Sequence, residues 1–169
     1  MSLRSRAVAV VAALAVSLPL TAQVLPAGAS SYQQLTVAQQ QELQRAVDAE
    51  LAVRGGEQVA PNKVVWADGG GDTTIPYPGQ EKAAGDWQTC AYGNFCVYER
   101  GNFNGTKYTF YNCRFYPFET DFFSWVNNQT GHTVATFHWN TGNGETRTAG
   151  AWAIEDYWHG YSYSGITPC

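Results

Sequence analysis

Three histidines, four cysteines and two groups of neighbouring acids are the side chains of this chain whose types could do chemistry. A cysteine–histidine nucleophile would need a thiolate, and four cysteines in an oxidising compartment can pair off entirely. A structural zinc site would need ligands at short spacing, but no C-x-x-C pair occurs and His132, His138 and His159 lack ligand spacing. His138 stands beside Trp139 in an alternating run and reads as a strand residue, while His132 and His159 each adjoin a glycine in a turn. Glu155-Asp156, or Glu119 with Asp121, could flank a glycosidic bond, yet adjacent loop acids are ordinarily just solvated. No G-x-S-x-G elbow, H-E-x-x-H helix or phosphate-binding loop occurs. The chain is expected to be no enzyme and to need no cofactor.

What the elements must position is therefore surface, and the N-terminus says where that surface works. Arg4 and Arg6 precede an apolar run from Ala7 to Leu20, and Ala27-Gly28-Ala29 offers a small-x-small cleavage pattern. Residues 1–29 read as a signal peptide, so the mature chain is expected to be secreted and to begin at Ser30. The apolar run is interrupted by Pro19 and is short for a membrane span of about 20 residues. Losing Arg4 and Arg6 takes the formal charge from −4 to −6, a poor balance for nucleic acid, which needs a lysine and arginine surface. A monomer with no membrane contact after cleavage is expected. Outside the cell the four cysteines mean two disulfides, with three pairings open. Cys90 and Cys96 are close enough to close a small loop. Cys113 would then join Cys169 across roughly 55 residues, worth about 4 kcal/mol in the chain-entropy picture.

Thr36-Val-Ala-Gln39 reads as a capping box, and Leu43, Val47 and Leu51 recur every fourth residue before Gly55-Gly56. The spacing predicts a helix over 37–54. Lys63–Ala67 and Thr73–Tyr77 flank a glycine-rich turn and predict a β-hairpin. Residues 30–78 thus form a small helix-plus-hairpin segment, an appendage or a removable pro-segment, and 79–87 reads as a linker. Of 24 aromatic residues, 20 lie between Cys90 and Cys169, in short period-two runs separated by Gly-Asn and Asn-Gly steps. That pattern predicts an all-β domain over 88–169, a small antiparallel sandwich filled with rings.

Within it, Tyr98-x4-Phe103-x-Gly105 followed by Ser124 has a physical logic. A folded hairpin would stack Phe103 on Tyr98, Gly105 would permit positive φ, and the Ser124 hydroxyl could bond back to the fold. The arrangement resembles the Greek-key motif of the βγ-crystallins. The wider string runs Cys90-x5-Cys96-Val-Tyr98, Phe103-Asn-Gly105, Tyr108-Thr-Phe110, Cys113 and Ser124-Trp-Val-Asn-Asn128. With the exported N-terminus, it resembles the secreted actinobacterial peptidase inhibitors of the microbial metalloproteinase-inhibitor type. The resemblance covers residues 88–169 and implies a βγ-crystallin-like Greek-key sandwich with two disulfides. It also implies a disulfide-braced loop presented to a protease cleft, the protease being a metalloproteinase. The family holds its reactive segment with a closely spaced disulfide, whereas Cys113 and Cys169 are far apart, so no reactive bond carries over. The second half, with Phe137-His-Trp139 and Gly142-Asn-Gly144, lacks the aromatic-x-Gly word.

Turn chemistry nominates two presenting loops, Gly101–Gly105 with Asn102 and Asn104, and Asn140–Gly144 with Asn140 and Asn143. Crystallin-type motifs often take calcium, but here only Glu119 and Asp121 are acidic, and Phe122 and Phe123 stand where oxygen ligands are wanted. No metal is expected. Asn104-Gly-Thr106 and Asn128-Gln-Thr130 match glycosylation sequons. The alternative function is a glycan-binding or cell-wall-binding module of crystallin fold. It would use Tyr157, Trp158, Tyr161 and nearby rings as a stacking strip.

Overall fold

The helix starts where its cap residues put it. The Thr36 hydroxyl accepts from the Gln39 N–H at 3.3 Å, and the Gln39 side chain accepts from the Thr36 N–H at 2.9 Å, which satisfies two orphan donors at once. α1 runs Val37–Arg54 and ends at Gly55, whose φ is +63° and whose N–H reaches the Leu51 carbonyl at 2.8 Å. Leu43 and Val47 are fully buried against Val64, Ile75 and Tyr77. This computed structural model describes residues 32–82, 87–140, 144–148, 150–158 and 163–169. The expected signal peptide, Asn143, His159 and Tyr161 lie outside the described residues.

The strands are β1 (Glu57–Ala60), β2 (Lys63–Val65), β3 (Gly71–Thr74), β4 (Asn94–Arg100), β5 (Asn104–Phe110) and β6 (Tyr116–Pro117), followed by β7 (Ser124–Asn128), β8 (Thr136–Trp139), β9 (Glu145–Arg147), β10 (Ile154–Glu155) and β11 (Tyr163–Thr167). They form two antiparallel sheets, ordered β1-β2-β3-β5-β4-β7-β10 and β6-β11-β8-β9. The connectivity repeats. β4 and β5 form a hairpin, β6 crosses to the smaller sheet, and β7 returns beside β4; β8 and β9 form a hairpin, β10 crosses to the larger sheet, and β11 returns beside β8. Each half therefore lends its third strand to the other. The second half repeats the strand order without the first half's sequence word.

The predicted hairpin is present as β2 and β3. β3 pairs with β5 from Gly71↔Phe110 to Thr74↔Lys107, so the N-terminal strands extend the C-terminal sheet. The described start of the linker segment, residues 79–82, meets the C-terminal sheet, with Lys82 bridged to Gly105. Its Glu81 carbonyl accepts from the Gly105 N–H at 2.6 Å. β1 has no apolar periodicity and was not legible as a strand; it is a polar edge held by β2.

Register explains the core. Val64, Thr73, Tyr108, Val97 and Trp125 lie in one row across the larger sheet and share a face. α1 covers the Val64 end of that row, and the smaller sheet covers the rest with Phe137, Tyr163 and Ile166. The filling is mostly rings, such as Tyr108 edge-on to Phe118 at 4.9 Å and Phe122 against Phe137 at 5.0 Å, each burying roughly 150–250 Å². At the seam between helix and smaller sheet, the Arg54 guanidinium lies 4.7 Å from the Trp66 ring and 4.9 Å from Phe118, with its Nε donating to Glu50 at 2.7 Å. Glu50 also accepts from the Thr73 hydroxyl at 2.5 Å, which itself accepts from the Trp66 indole at 2.8 Å. Cys90 pairs with Cys96 and Cys113 with Cys169, the pairing that spacing favours. Among the described residues, no helix is long and apolar enough to cross a membrane.

Candidate functional site

The hairpin between β4 and β5 folds over as its residue types suggest. The Tyr98 and Phe103 rings meet edge to face at 5.5 Å, and Gly105 takes φ +77°. Ser124, fully buried, accepts from the Phe103 N–H at 3.0 Å and donates to the Arg100 carbonyl at 2.7 Å. Ser124→Ala removes the acceptor of the buried Phe103 N–H and a donor to the Arg100 carbonyl, so a loss of about 1–3 kcal/mol is expected. Urea unfolding checks this: the midpoint should fall with an unchanged slope, and a shift below about 0.5 kcal/mol would contradict the role.

The same folding ties the hairpin down from within the domain. Asn102 and Phe103 hold φ +56° and +58°, and the Asn102 N–H is spent on the Asp156 carbonyl at 2.6 Å. The neighbouring N–H groups are spent in the same way, Phe103 on Ser124, Asn104 on Gly101 and Gly105 on Glu81. Asn102 is exposed, Asn104 is half-buried, and Asn140 is exposed at the end of β8. Tyr157 is exposed, but Trp158 packs inward, 5.8 Å from Phe137. Glu119 and Asp121 are exposed, Phe122 is wholly buried in the core, and no group of three potential metal ligands occurs among the described residues. The Asn128 amide donates to the Cys90 carbonyl at 2.7 Å, so that sequon serves the fold.

The segment that is both exposed and fixed lies elsewhere, over Tyr111–Phe115 between β5 and β6. All five residues are exposed, yet the loop is anchored on three sides. From the N-terminal strands, the Gly70 carbonyl accepts the Tyr111 N–H at 2.8 Å, and Asp72 accepts the Tyr111 hydroxyl. Asp68 forms an ion pair with Arg114, whose guanidinium lies 4.6 Å over the Tyr116 ring. From the C-terminus, Cys169 ties down Cys113 with 5.3 Å between Cα atoms. From the smaller sheet, Phe115 packs edge-on to His138 at 5.1 Å. It also lies over Gly165, where a Cβ would stand 2.3 Å from the ring.

The electrostatics hold the same contacts. Burial works against ionised Asp68, but the Gly70 N–H and the Arg114 guanidinium keep its carboxyl below the usual range. Burial, then the Asp72 carboxylate, pushes the Tyr111 hydroxyl well up, so it remains a donor. Asn112 and Arg114 thus stand on a backbone with little freedom left to lose. Sequence reasoning passed this loop over because Tyr-Asn-Cys-Arg-Phe carries no glycine, proline or Asn-Gly turn signal; its one pointer was an isolated cysteine between rings. The chain matches no protein-family model, no curated protein and no solved structure, so its functional reading rests on its own geometry.

Proposed function

We propose that this protein is a secreted peptidase inhibitor, directed at metalloproteinases, that presents Tyr111–Phe115 to the protease cleft. The βγ-crystallin-like double Greek key is part of the same proposal, supported by the repeated strand order with exchanged third strands. The observation that carries the reading is an exposed five-residue loop fixed by a disulfide, an ion pair and a packed ring. Ordering a free loop of this length would cost about 1–2 kcal/mol per residue. A loop already ordered by its own fold spares that cost on binding.

The test is a panel of secreted proteases, thermolysin-like enzymes first, titrated with mature protein of verified fold. Inhibition at micromolar concentration or tighter is expected. Asn112→Ala and Arg114→Ala should each weaken it at least tenfold while the melting temperature moves by only a few degrees, since both side chains are exposed. A folded protein that leaves every protease of the panel active at micromolar concentration would sink the reading.

A further inference from the structure

A second surface is built from rings of a different kind of order. Between the ends of β8, β9 and β10 and the start of β11 lies a cleft of about 440 Å³, walled by Trp139, Tyr157, Trp158 and Tyr163 with Glu155 and Thr146. That volume is in the range of small-ligand sites, about 300–1,000 Å³. Its rings are held in place. The Trp139 indole donates to the Thr146 hydroxyl at 3.1 Å and sits 5.1 Å from Tyr163. Gly144 lies under it, where a Cβ would be 2.9 Å from the ring. Trp158 is wedged between Phe137 and Trp125. Tyr157 rests against Gly101, where a Cβ would stand 3.2 Å from its ring. Despite this packing, Trp139 is 40% exposed and Tyr157 63% exposed. Neither ring is needed to close the core.

We propose that this cleft binds a neutral pyranose chain, a β-1,4-linked one with equatorial hydroxyls. The assignment follows from the chemistry of the walls. Equatorial substituents leave both faces of a pyranose lined with C–H bonds, and such faces stack on aromatic rings, whereas axial hydroxyls would break them. Glu155 offers a carboxylate that accepts from neighbouring hydroxyls, and Thr146 a further polar group at the rim. Charge decides between sugars. Glu155 is the one charged side chain among the described residues that line the cleft, and the whole chain is acidic. A sulfated or uronic polymer would be repelled.

The cleft and the Tyr111–Phe115 loop share no residue, so the two proposals stand or fall separately. Cellohexaose, chitohexaose and a polygalacturonate fragment are titrated calorimetrically into mature full-length protein, with sedimentation of the free protein alongside. Binding of one or both neutral hexasaccharides and none of the uronic one is expected. Trp139→Ala and Tyr157→Ala should each weaken binding at least tenfold, with Glu155→Gln weakening it less, and Arg114→Ala should leave it unchanged. Absence of neutral-sugar binding at millimolar ligand, or binding by both ring variants as tight as the parent's, overturns the proposal. So does a dimer that Tyr157→Ala dissociates, because the rings would then be covered by a second copy.

Discussion

Trp66→Ala is expected to unfold the C-terminal sandwich together with the N-terminal segment, in one transition. The ring packs 5.4 Å from Phe110 and 5.9 Å from Tyr116 in the main core. The fit beneath it is close enough that a Cβ on Gly71 would stand 2.6 Å from it. Truncating a buried tryptophan costs about 3–5 kcal/mol through lost burial and an unfilled cavity. The loss also takes away the indole donor to Thr73 and one wall of the seat for Arg54. Against a usual total of about 5–15 kcal/mol, this is a large share. Urea melts followed by far-ultraviolet dichroism and by near-ultraviolet aromatic signals should coincide and shift together. A variant in which only the helical signal is lost, with the aromatic transition where it was, would mean that residues 30–78 are an appendage after all.

Asp72→Ala should act on both stability and inhibition. Asp72 is 2% exposed and pairs with Lys63 at 3.2 Å while accepting from Tyr111 and, at 3.3 Å, from Thr74. Burial lowers the pKa of Lys107, and the Asp72 charge works against that shift. Removing the carboxylate takes away the acceptor of the Tyr111 and Thr74 hydroxyls and the opposite charge that favours ionised, buried Lys107, and a buried donor left without its acceptor costs about 1–3 kcal/mol. Lys63 is partly exposed and keeps its hydration, so its share is small. The sign with pH follows. Above its lowered folded pKa, Lys107 binds fewer protons folded than unfolded, so stability rises with pH until the unfolded value near 10.5. The rise should be steeper in Asp72→Ala than in the parent. Asp72→Asn, which keeps the shape, should fall between them. Because Tyr111 loses its anchor, the folded variant should also inhibit at least tenfold more weakly, and unchanged inhibition would remove Asp72 from the loop's support.

The strand that carries Asp72 was expected from Thr73 onward, but its start at Gly71 and its full burial were not legible, for a definite reason. Gly71-Asp-Thr-Thr74 holds no apolar side chain, yet all four residues are buried. Burial here follows from neighbours on both sides, β2 and β5, and from the helix above Thr73. Hydrophobic periodicity reports burial against one face, so a polar strand satisfied by Lys63, Lys107 and Glu50 leaves no trace in it.

The fixed loop at Tyr111–Phe115 was passed over for the opposite reason. Asn-Gly and Gly-Asn steps drew attention to Gly101–Gly105, where they do what turn chemistry does and fold the chain on itself. Tyr111–Phe115 has no such signal, because its order comes from Asp68, Gly70, Asp72, His138, Gly165 and Cys169.

By itself the sequence determined the capped helix over 37–54, the period-two strands, the Tyr98–Phe103 fold with its Gly105 and Ser124, and the nearness of Cys90 to Cys96. Each of these depends on spacing within an element or across one turn, where backbone geometry repeats and can be read off. Only the tertiary structure decided that β3 lies on β5, that Arg54 closes the seam, and that the exposed rings wall a cleft. It also decided that the fixed surface is Tyr111–Phe115. Those outcomes join residues tens of positions apart, and no periodic rule connects such residues until the sheets have packed.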